Sequence, residues 1–204
     1  DSFVRLAGGW DSHLRPAVGV ADGEPYLLRL FKKTGTALDD DLRAIVGRGL
    51  RRIRRVLSSR RARDVLVEVL ETAEDEHELA IVMVDPGSPI SGASQRRRTR
   101  GGRFLTSASR GVFWRNMVRV AEALALCHDA GIVHGGVSLH SIFSQLDDSA
   151  EYRLGGVEAC VHIADGDLKE SGHLLRASAV ISFRQDWIDL AAVAGTLLGL
   201  DGDN

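Results

Sequence analysis

The sequence predicts an α+β fold in which a strand-rich first region precedes a mainly helical second region. Short strand-like runs, separated by turns that contain glycine, dominate residues 1–84. One segment of helical periodicity interrupts these runs, whereas residues 107–204 contain two long apolar segments. A chain of 204 residues, 44% of them hydrophobic, is long enough to bury an ordinary core. We therefore expect one domain, or at most two small lobes.

The first region is predicted to contain three strands, one helix and then two strands. The strands are predicted at residues 4–14, 16–20, 26–31, 65–71 and 79–84. The helix is predicted at residues 38–57, where Asp39, Asp40 and Asp41 lie at the positive end of the helix dipole. Apolar residues recur along it at helical spacing: Leu42, Ile45, Val46, Leu50, Ile53, Val56 and Leu57.

Residues 85–106 are predicted to form a hinge or linker that carries a basic insert. This insert contains five arginines, Arg96, Arg97, Arg98, Arg100 and Arg103. Because the segment has few apolar residues and much like charge, we expect its basic insert to be mobile.

The second region is predicted at residues 107–204 and begins with a helix at about 112–129. A turn at residues 131–134 leads into irregular structure, and residues 141–143 and 152–154 are predicted to pair as a short hairpin. Residues 186–200 are almost continuously apolar after Trp187, which predicts a buried helix.

Composition excludes several classes of protein. The formal net charge is -2, which argues against a general polyanion binder, and no apolar stretch approaches the ~18 residues of a membrane helix. The chain starts at Asp1 without a signal pattern, so we expect a cytoplasmic protein rather than a secreted precursor. Cys127 and Cys160 are too few for a zinc quartet, and a buried apolar role is favoured for both.

Three segments of the second region carry a family resemblance. Residues 126–143, LCHDAGIVHGGVSLHSIF, resemble the protein kinase segment L-x-H-x-x-G-I-V-H-R-D-L-K-P-x-N-I-L. Residues 153–158, RLGGVE, resemble K-L-x-D-F-G, and residues 186–191, DWIDLA, resemble the opening D-x-x-S-L-G of a buried helix. The resemblance covers essentially the whole chain. It implies a two-lobe protein kinase-like fold with an N-lobe at residues 1–84 and a hinge at 85–106.

The C-lobe implied by this resemblance, residues 107–204, is truncated. The chain ends soon after the segment that resembles the buried helix. We therefore expect apolar surface between Trp187 and Leu200 that another segment must cover.

The residues that would perform phosphoryl transfer are absent from the matching positions. Gly136 stands at the position of the catalytic base, so no carboxylate is present there to accept a proton. Ser138 and Ser141 occupy the positions of the catalytic-loop Lys and the metal-binding Asn. Gly156 replaces the D-F-G Asp, the principal Mg²⁺ ligand. The resemblance thus implies no catalytic residues and no metal site.

The nucleotide site implied by the resemblance is also degenerate. Its remnant is Gly8 and Gly9, where the glycine-rich loop would lie, together with Arg29 at the position of the strand lysine. Asp11 would repel a triphosphate, and arginine does not replace a compact ammonium conservatively. Residues 47–52, GRGLRR, offer no acid to pair with that position. We expect no cofactor, with weak, metal-independent ATP binding as the most that the site allows.

Two matching residues are retained, and both have structural roles in the family. His134 matches the His of H-R-D, and Asp186 matches the buried Asp that hydrogen-bonds the catalytic-loop backbone. No acidic residue flanks His128 or His140 at metal-ligand spacing, so a metal site there is disfavoured. Displaced Mg²⁺ ligands at 147, 148 or 158 are disfavoured as well.

A run of arginines marks the polar face of the predicted helix and the residues after it. Nine arginines occur between residues 43 and 63 without one acid. The basic surface that we single out comprises Arg48, Arg51, Arg52, Arg54 and Arg55. Plain solvation and a docking surface for an acidic partner or nucleic acid are equally compatible with this pattern. No aromatic residue interleaves with the cluster, which argues against stacking on single strands.

These observations predict a pseudokinase, a catalytically inactive kinase-like domain that acts as a regulatory or scaffolding module. Its expected partner is another protein or other domains of the same protein, bound without a membrane. One alternative is an atypical active Ser/Thr kinase that uses Arg29 and relocated acids. The other is a nucleic-acid-associated module that binds through the arginine-rich helix.

Overall fold

The computed structural model describes residues 3–5, 11–91, 107–145, 151–157, 161–162 and 182–199. Within these ranges the chain has the predicted α+β class, with an antiparallel sheet and helices of both regions around one hydrophobic core. No helix of the described ranges combines the length and the apolar character needed to cross a membrane.

Five antiparallel strands form the main sheet. They are β1 (Phe3–Arg5), β2 (Asp11–Val18), β3 (Pro25–Lys32), β4 (Val69–Glu74) and β5 (Glu78–Val84), in the order β1-β2-β3-β5-β4. The sequence placed a strand boundary before Pro16, but this residue lies within β2 and opposite Leu27 of β3. On its other side, β2 pairs with β1 only at residues 11–13 in the described structure. Pro16 therefore lies in a part of β2 that is an edge on that side, where a residue without an N–H is tolerated.

Helix α1 (Leu38–Val56) closely matches its predicted position. The carboxylate of Asp39, in its first turn, accepts hydrogen bonds from the backbone N–H groups of Thr34 and Gly35, both at 2.8 Å. These bonds hold the pKa of Asp39 below its ordinary value, and the bond from the Thr34 N–H has the largest effect. The helix buries Leu42 and Ile53 against the sheet and the second region. The three acids that start the helix thus include one that fixes the preceding loop.

A second helix in the first region, α2 (Arg60–Val65), was not predicted. Ser59 caps it, because its side chain accepts a hydrogen bond from the N–H of Ala62 at 3.1 Å. The strand predicted to start at residue 65 starts instead at Val69. The intervening Val67 donates its N–H to the carbonyl of Leu154 at 2.9 Å and so ties the first region to the second.

The second region contains short strands and two long helices. In chain order these are β6 (Ser88–Pro89), α3 (Ser107–Asp129), β7 (Ile132–Val133), β8 (Ile142–Ser144), β9 (Arg153–Leu154), β10 (Val161–His162) and α4 (Phe183–Leu198). The predicted hairpin is confirmed, since β8 pairs antiparallel with β9. The turn predicted at residues 131–134 is partly wrong, because β7 pairs there with β10.

The start of the predicted linker packs against the second region. A Cβ atom at Gly87, which has a φ of 89°, would lie 2.4 Å from the carbonyl oxygen of Ser144, so only glycine fits beside β8. Ile90 is buried in the core, and the N–H of Ser91 bonds to the carbonyl of Leu139 at 3.0 Å. The basic insert at residues 96–103 lies outside the described residues.

Helix α4 is buried on one face only, which corrects the prediction of a buried helix. Leu190, Val193 and Leu197 face the core, whereas Trp187 and Ile188 are 41% and 49% exposed. The sequence did not distinguish the buried face of α4 from its exposed face, because its nearly uniform apolar residues leave no polar stripe on the outer side. Part of the apolar surface expected between residues 187 and 200 is therefore present.

Candidate functional site

Asp186 is the central anchor of the candidate site. It lies in the first turn of α4 and is 0% exposed. Its Oδ1 accepts the backbone N–H of Gly135, and its Oδ2 accepts that of His134, both at 2.8 Å. The Nε2 atom of His128 on α3 lies 2.8 Å from the same Oδ2. One buried carboxylate therefore joins α3, α4 and the start of the loop at residues 134–141.

His134 connects this loop to the segment after β9. The residue is buried, and its Nε2 lies 2.8 Å from the carbonyl oxygen of Gly155. Because a carbonyl oxygen only accepts, Nε2 is the donor and carries a proton. A nitrogen that already holds a proton for this bond is not available as a general base.

The two loop serines hold their own turn. The hydroxyl of Ser141 accepts the N–H of Ser138 at 2.9 Å and donates to its carbonyl oxygen at 3.0 Å. The carbonyl of Ser141 in turn accepts the N–H of Gly155 at 2.7 Å. Since Ser141 is also buried, its hydroxyl closes a turn instead of facing a ligand.

Two glycines of the candidate site differ in the space around them. A Cβ atom at Gly136 would meet nothing within 4 Å, so a side chain there would be accommodated. Gly156 has a φ of 86°, a conformation that disfavours other residues, and its Cβ would lie 3.5 Å from the ring of His134. The absence of a carboxylate at Gly136 is therefore a property of the sequence and not a steric requirement.

Arg29 is buried in the middle of the main sheet. It lies on β3 between Leu14 of β2 and Ile81 of β5 and is only 1% exposed. Its Nη1 lies 3.4 Å from the hydroxyl oxygen of Ser12. This guanidinium is thus part of the interior of the protein. Gly8 and Gly9, the other residues of the predicted nucleotide-site remnant, lie outside the described residues.

The two histidines considered as metal ligands have different surroundings. His128 packs against Phe183 and Trp187, with ring centroids at 4.4 and 5.5 Å, and it contacts Asp186. His128 thus has an acidic neighbour in space that its local sequence spacing did not show, because Asp186 is 58 residues away along the chain. His140 Nδ1 lies 3.0 Å from the hydroxyl of Ser91. Among the residues that the structure describes, no three His, Cys, Asp or Glu side chains group as a metal site. Positions 147, 148 and 158 are outside those residues.

Part of the arginine run has partners from other parts of the chain. Arg43 forms ion pairs with Asp40 and Glu74, and Arg61 pairs with Glu122 of α3. Hydrogen bonding to Arg43, followed by that to Lys33, lowers the pKa of Glu74 to about 2. The sequence pattern of arginines without acids is therefore misleading at both ends of the run.

The basic surface singled out from the sequence divides into two groups. Arg54 on α1 donates from Nη2 to the carbonyl of Leu70, and Arg52 is partly buried and interacts with another residue. In contrast, Arg51 and Arg55 are exposed and Arg48 is partly exposed, and no ion pair joins these three to an acid within the described ranges.

Comparison with protein-family models and with curated proteins finds no match to this chain. The function of the site is therefore inferred from its residues and their geometry.

Proposed function

We propose that the chain is a pseudokinase, a catalytically inactive domain with a protein kinase-like two-lobe fold that acts as a regulatory or scaffolding module. The observation that carries the proposal is the use of the polar groups around the loop at residues 134–141. Asp186, His134 and Ser141 form hydrogen bonds with backbone atoms of the loop and of residue 155, and Asp186 also contacts the side chain of His128. These groups hold a scaffold, and none of them is directed at a substrate.

The loop also lacks the acid that phosphoryl transfer requires. Residues 134–145 contain no Asp or Glu, so no carboxylate within them can orient a hydroxyl as a base or hold Mg²⁺. Gly136 is open to solvent, which would suit an acid, yet the sequence has none there. This combination favours the inactive reading over an active Ser/Thr kinase.

The burial of Arg29 supports the same conclusion for nucleotide binding. A cation that is 1% exposed has little contact with solvent, and a phosphate would have to enter the interior of the sheet to reach it. We therefore expect neither Mg·ATP-dependent phosphotransfer nor strong nucleotide binding. A module of this kind acts through its surfaces, by binding a partner or another domain.

Thermal denaturation with ATP, in the presence of Mg²⁺ and of EDTA, tests this function. A ligand at 100 times its Kd stabilises a protein by about 2.7 kcal/mol, or roughly 5–11 °C for a chain of this size. We expect a Mg²⁺-dependent shift well below that range at millimolar ATP. A shift within that range, or transfer of labelled phosphate that Arg29→Ala abolishes, would contradict the proposal.

A further inference from the structure

Three arginines form a stripe on the outer side of α1, which we call the arginine face: Arg48, Arg51 and Arg55. They are spaced by three and four residues, so they share one side of the helix. The buried residues Leu42 and Leu50 lie on the opposite side, towards the core. At 1.5 Å per residue, the stripe is about 10 Å long.

The arginine face does not stabilise the isolated helix. Like charges three and four residues apart repel each other, and within the described ranges no carboxylate forms an ion pair with Arg48, Arg51 or Arg55. Only Arg55 gains from the helix dipole, because it lies in the last turn. The arrangement is therefore better suited to an anion supplied from outside than to the stability of the fold.

The positive charge continues beyond α1. Arg60 and Arg61 occupy the first turn of α2, where a cation is unfavourable next to the positive end of the helix dipole. Glu122 compensates Arg61, but no acid in the described part of the chain pairs with Arg60. Arg60 therefore adds a further unpaired positive charge, which lies outside the arginine face but soon after α1 in the chain.

A negative charge near the N-terminal end of α1, on the same side as the arginine face, restricts which anions can bind there. Asp41 is exposed and lies seven residues before Arg48, which places it in line with the arginine face. Double-stranded nucleic acid carries one negative charge for about every 1.7 Å of its axis, so a duplex lying along α1 would meet this acid. A short segment with carboxylates opposite the arginine face avoids the repulsion.

We propose that the arginine face binds an acidic segment of a partner protein. Glutamate or aspartate carboxylates of that segment form bidentate hydrogen bonds with Arg48, Arg51 and Arg55, and a basic residue of the segment faces Asp41. The proposal rests on the proposed function, for which it names the docking surface and the chemistry of the partner.

Fluorescence anisotropy with two labelled probes tests the proposal at about 0.15 M salt. One probe is a short glutamate-rich peptide, and the other is a duplex DNA of similar length. We expect the intact chain to bind the peptide more tightly than the duplex. Charge reversal in the triple variant R48E/R51E/R55E should weaken peptide binding at least about tenfold. Neutralisation by glutamine at the same three positions should weaken it as well, which covers the case in which the reversed variant fails to fold.

The control variant R110E/R115E/R184E changes the net charge by the same amount at three exposed arginines of α3 and α4. It should retain peptide binding within about twofold. Tighter binding of the duplex, equal losses in both triple variants, or no peptide binding by the intact chain would each overturn the proposal. The peptide assay tests the arginine face, and its outcome does not depend on the thermal response to Mg·ATP. A strong stabilisation by Mg·ATP would instead reject the pseudokinase function, whatever the peptide assay shows.

Discussion

Replacement of Asp186 by alanine should destabilise the protein more than any other change at the candidate site. The variant leaves the N–H groups of His134 and Gly135 and the ring of His128 without their buried acceptor. Each buried donor that loses its acceptor costs about 1–3 kcal/mol, so the loss of three such hydrogen bonds costs at least about 3 kcal/mol. We expect a loss of about 3–5 kcal/mol, which corresponds to a fall in Tm of roughly 6–20 °C.

Urea denaturation followed by circular dichroism measures this loss. Asp189→Ala is the matched control, because Asp189 lies one turn later on α4 and, among the described residues, its side chain is bonded to Gln185 alone, at 2.7 Å. The control should lose about 1 kcal/mol or less. Hydrogen exchange at the amides of residues 134 and 135 adds a local measurement, since both should exchange faster in Asp186→Ala. Equal destabilisation of the two variants, with unchanged exchange at these amides, would refute the anchoring role.

Three further predictions concern packing, an ion pair and a thiol. Gly155→Ala should cost about 1–3 kcal/mol in thermal denaturation, because the new Cβ would lie 2.7 Å from the ring of Phe143. Glu74, with its pKa lowered to about 2, should stabilise the fold above the ordinary carboxyl range near 4.5 and lose that effect as the pH falls towards 2. Melting curves of the intact chain and of Glu74→Gln should therefore converge at low pH. Burial raises the pKa of the Cys127 thiol to about 12, so this thiol should react with Ellman's reagent only after unfolding.

Each of these predictions has a control within the chain. Gly136→Ala adds the same methyl group where nothing lies within 4 Å and should leave the melting temperature nearly unchanged. Glu76→Gln, in the same acidic turn but without an ion pair to a described residue, should not reproduce the pH dependence of Glu74→Gln. The thiol measurement is made in Cys160→Ser so that it reports on one cysteine. Fast reaction of the folded protein, or a penalty at residue 136 as large as at 155, would contradict the packing described.

Local sequence signals predicted much of the fold. The position of α1 followed from its acidic start and its apolar spacing, and the β8–β9 hairpin followed from two short apolar runs around a polar turn. Helix α2 was missed because its sequence, RRARDV, has no apolar periodicity. Strand β7 was missed because it has only two residues and its partner β10 lies much later in the chain.

The candidate site could be predicted only in part because its contacts are long-range. The sequence singled out His134 and Asp186, but it gave no local sign that His128 contacts Asp186, which is 58 residues away. Similarly, the acids that pair with Arg43 and Arg61 come from β4 and α3. Charge counted along a sequence therefore overestimates the unpaired charge of a surface whenever acids from other elements fold onto it.

The polar residues discussed above differ in what they contribute to the fold. Asp186 and Ser141 are buried and bonded, so their removal lowers the free energy of unfolding. The arginine face has the opposite character, because its charges repel each other within the isolated domain. An acidic segment that bound there would relieve this repulsion and bind only the folded state, so it should raise the melting temperature by an amount that grows with the logarithm of its affinity. We therefore expect stability and partner binding to be coupled at α1, whereas Asp186 stabilises the loop at residues 134–141 through its hydrogen bonds to the backbone.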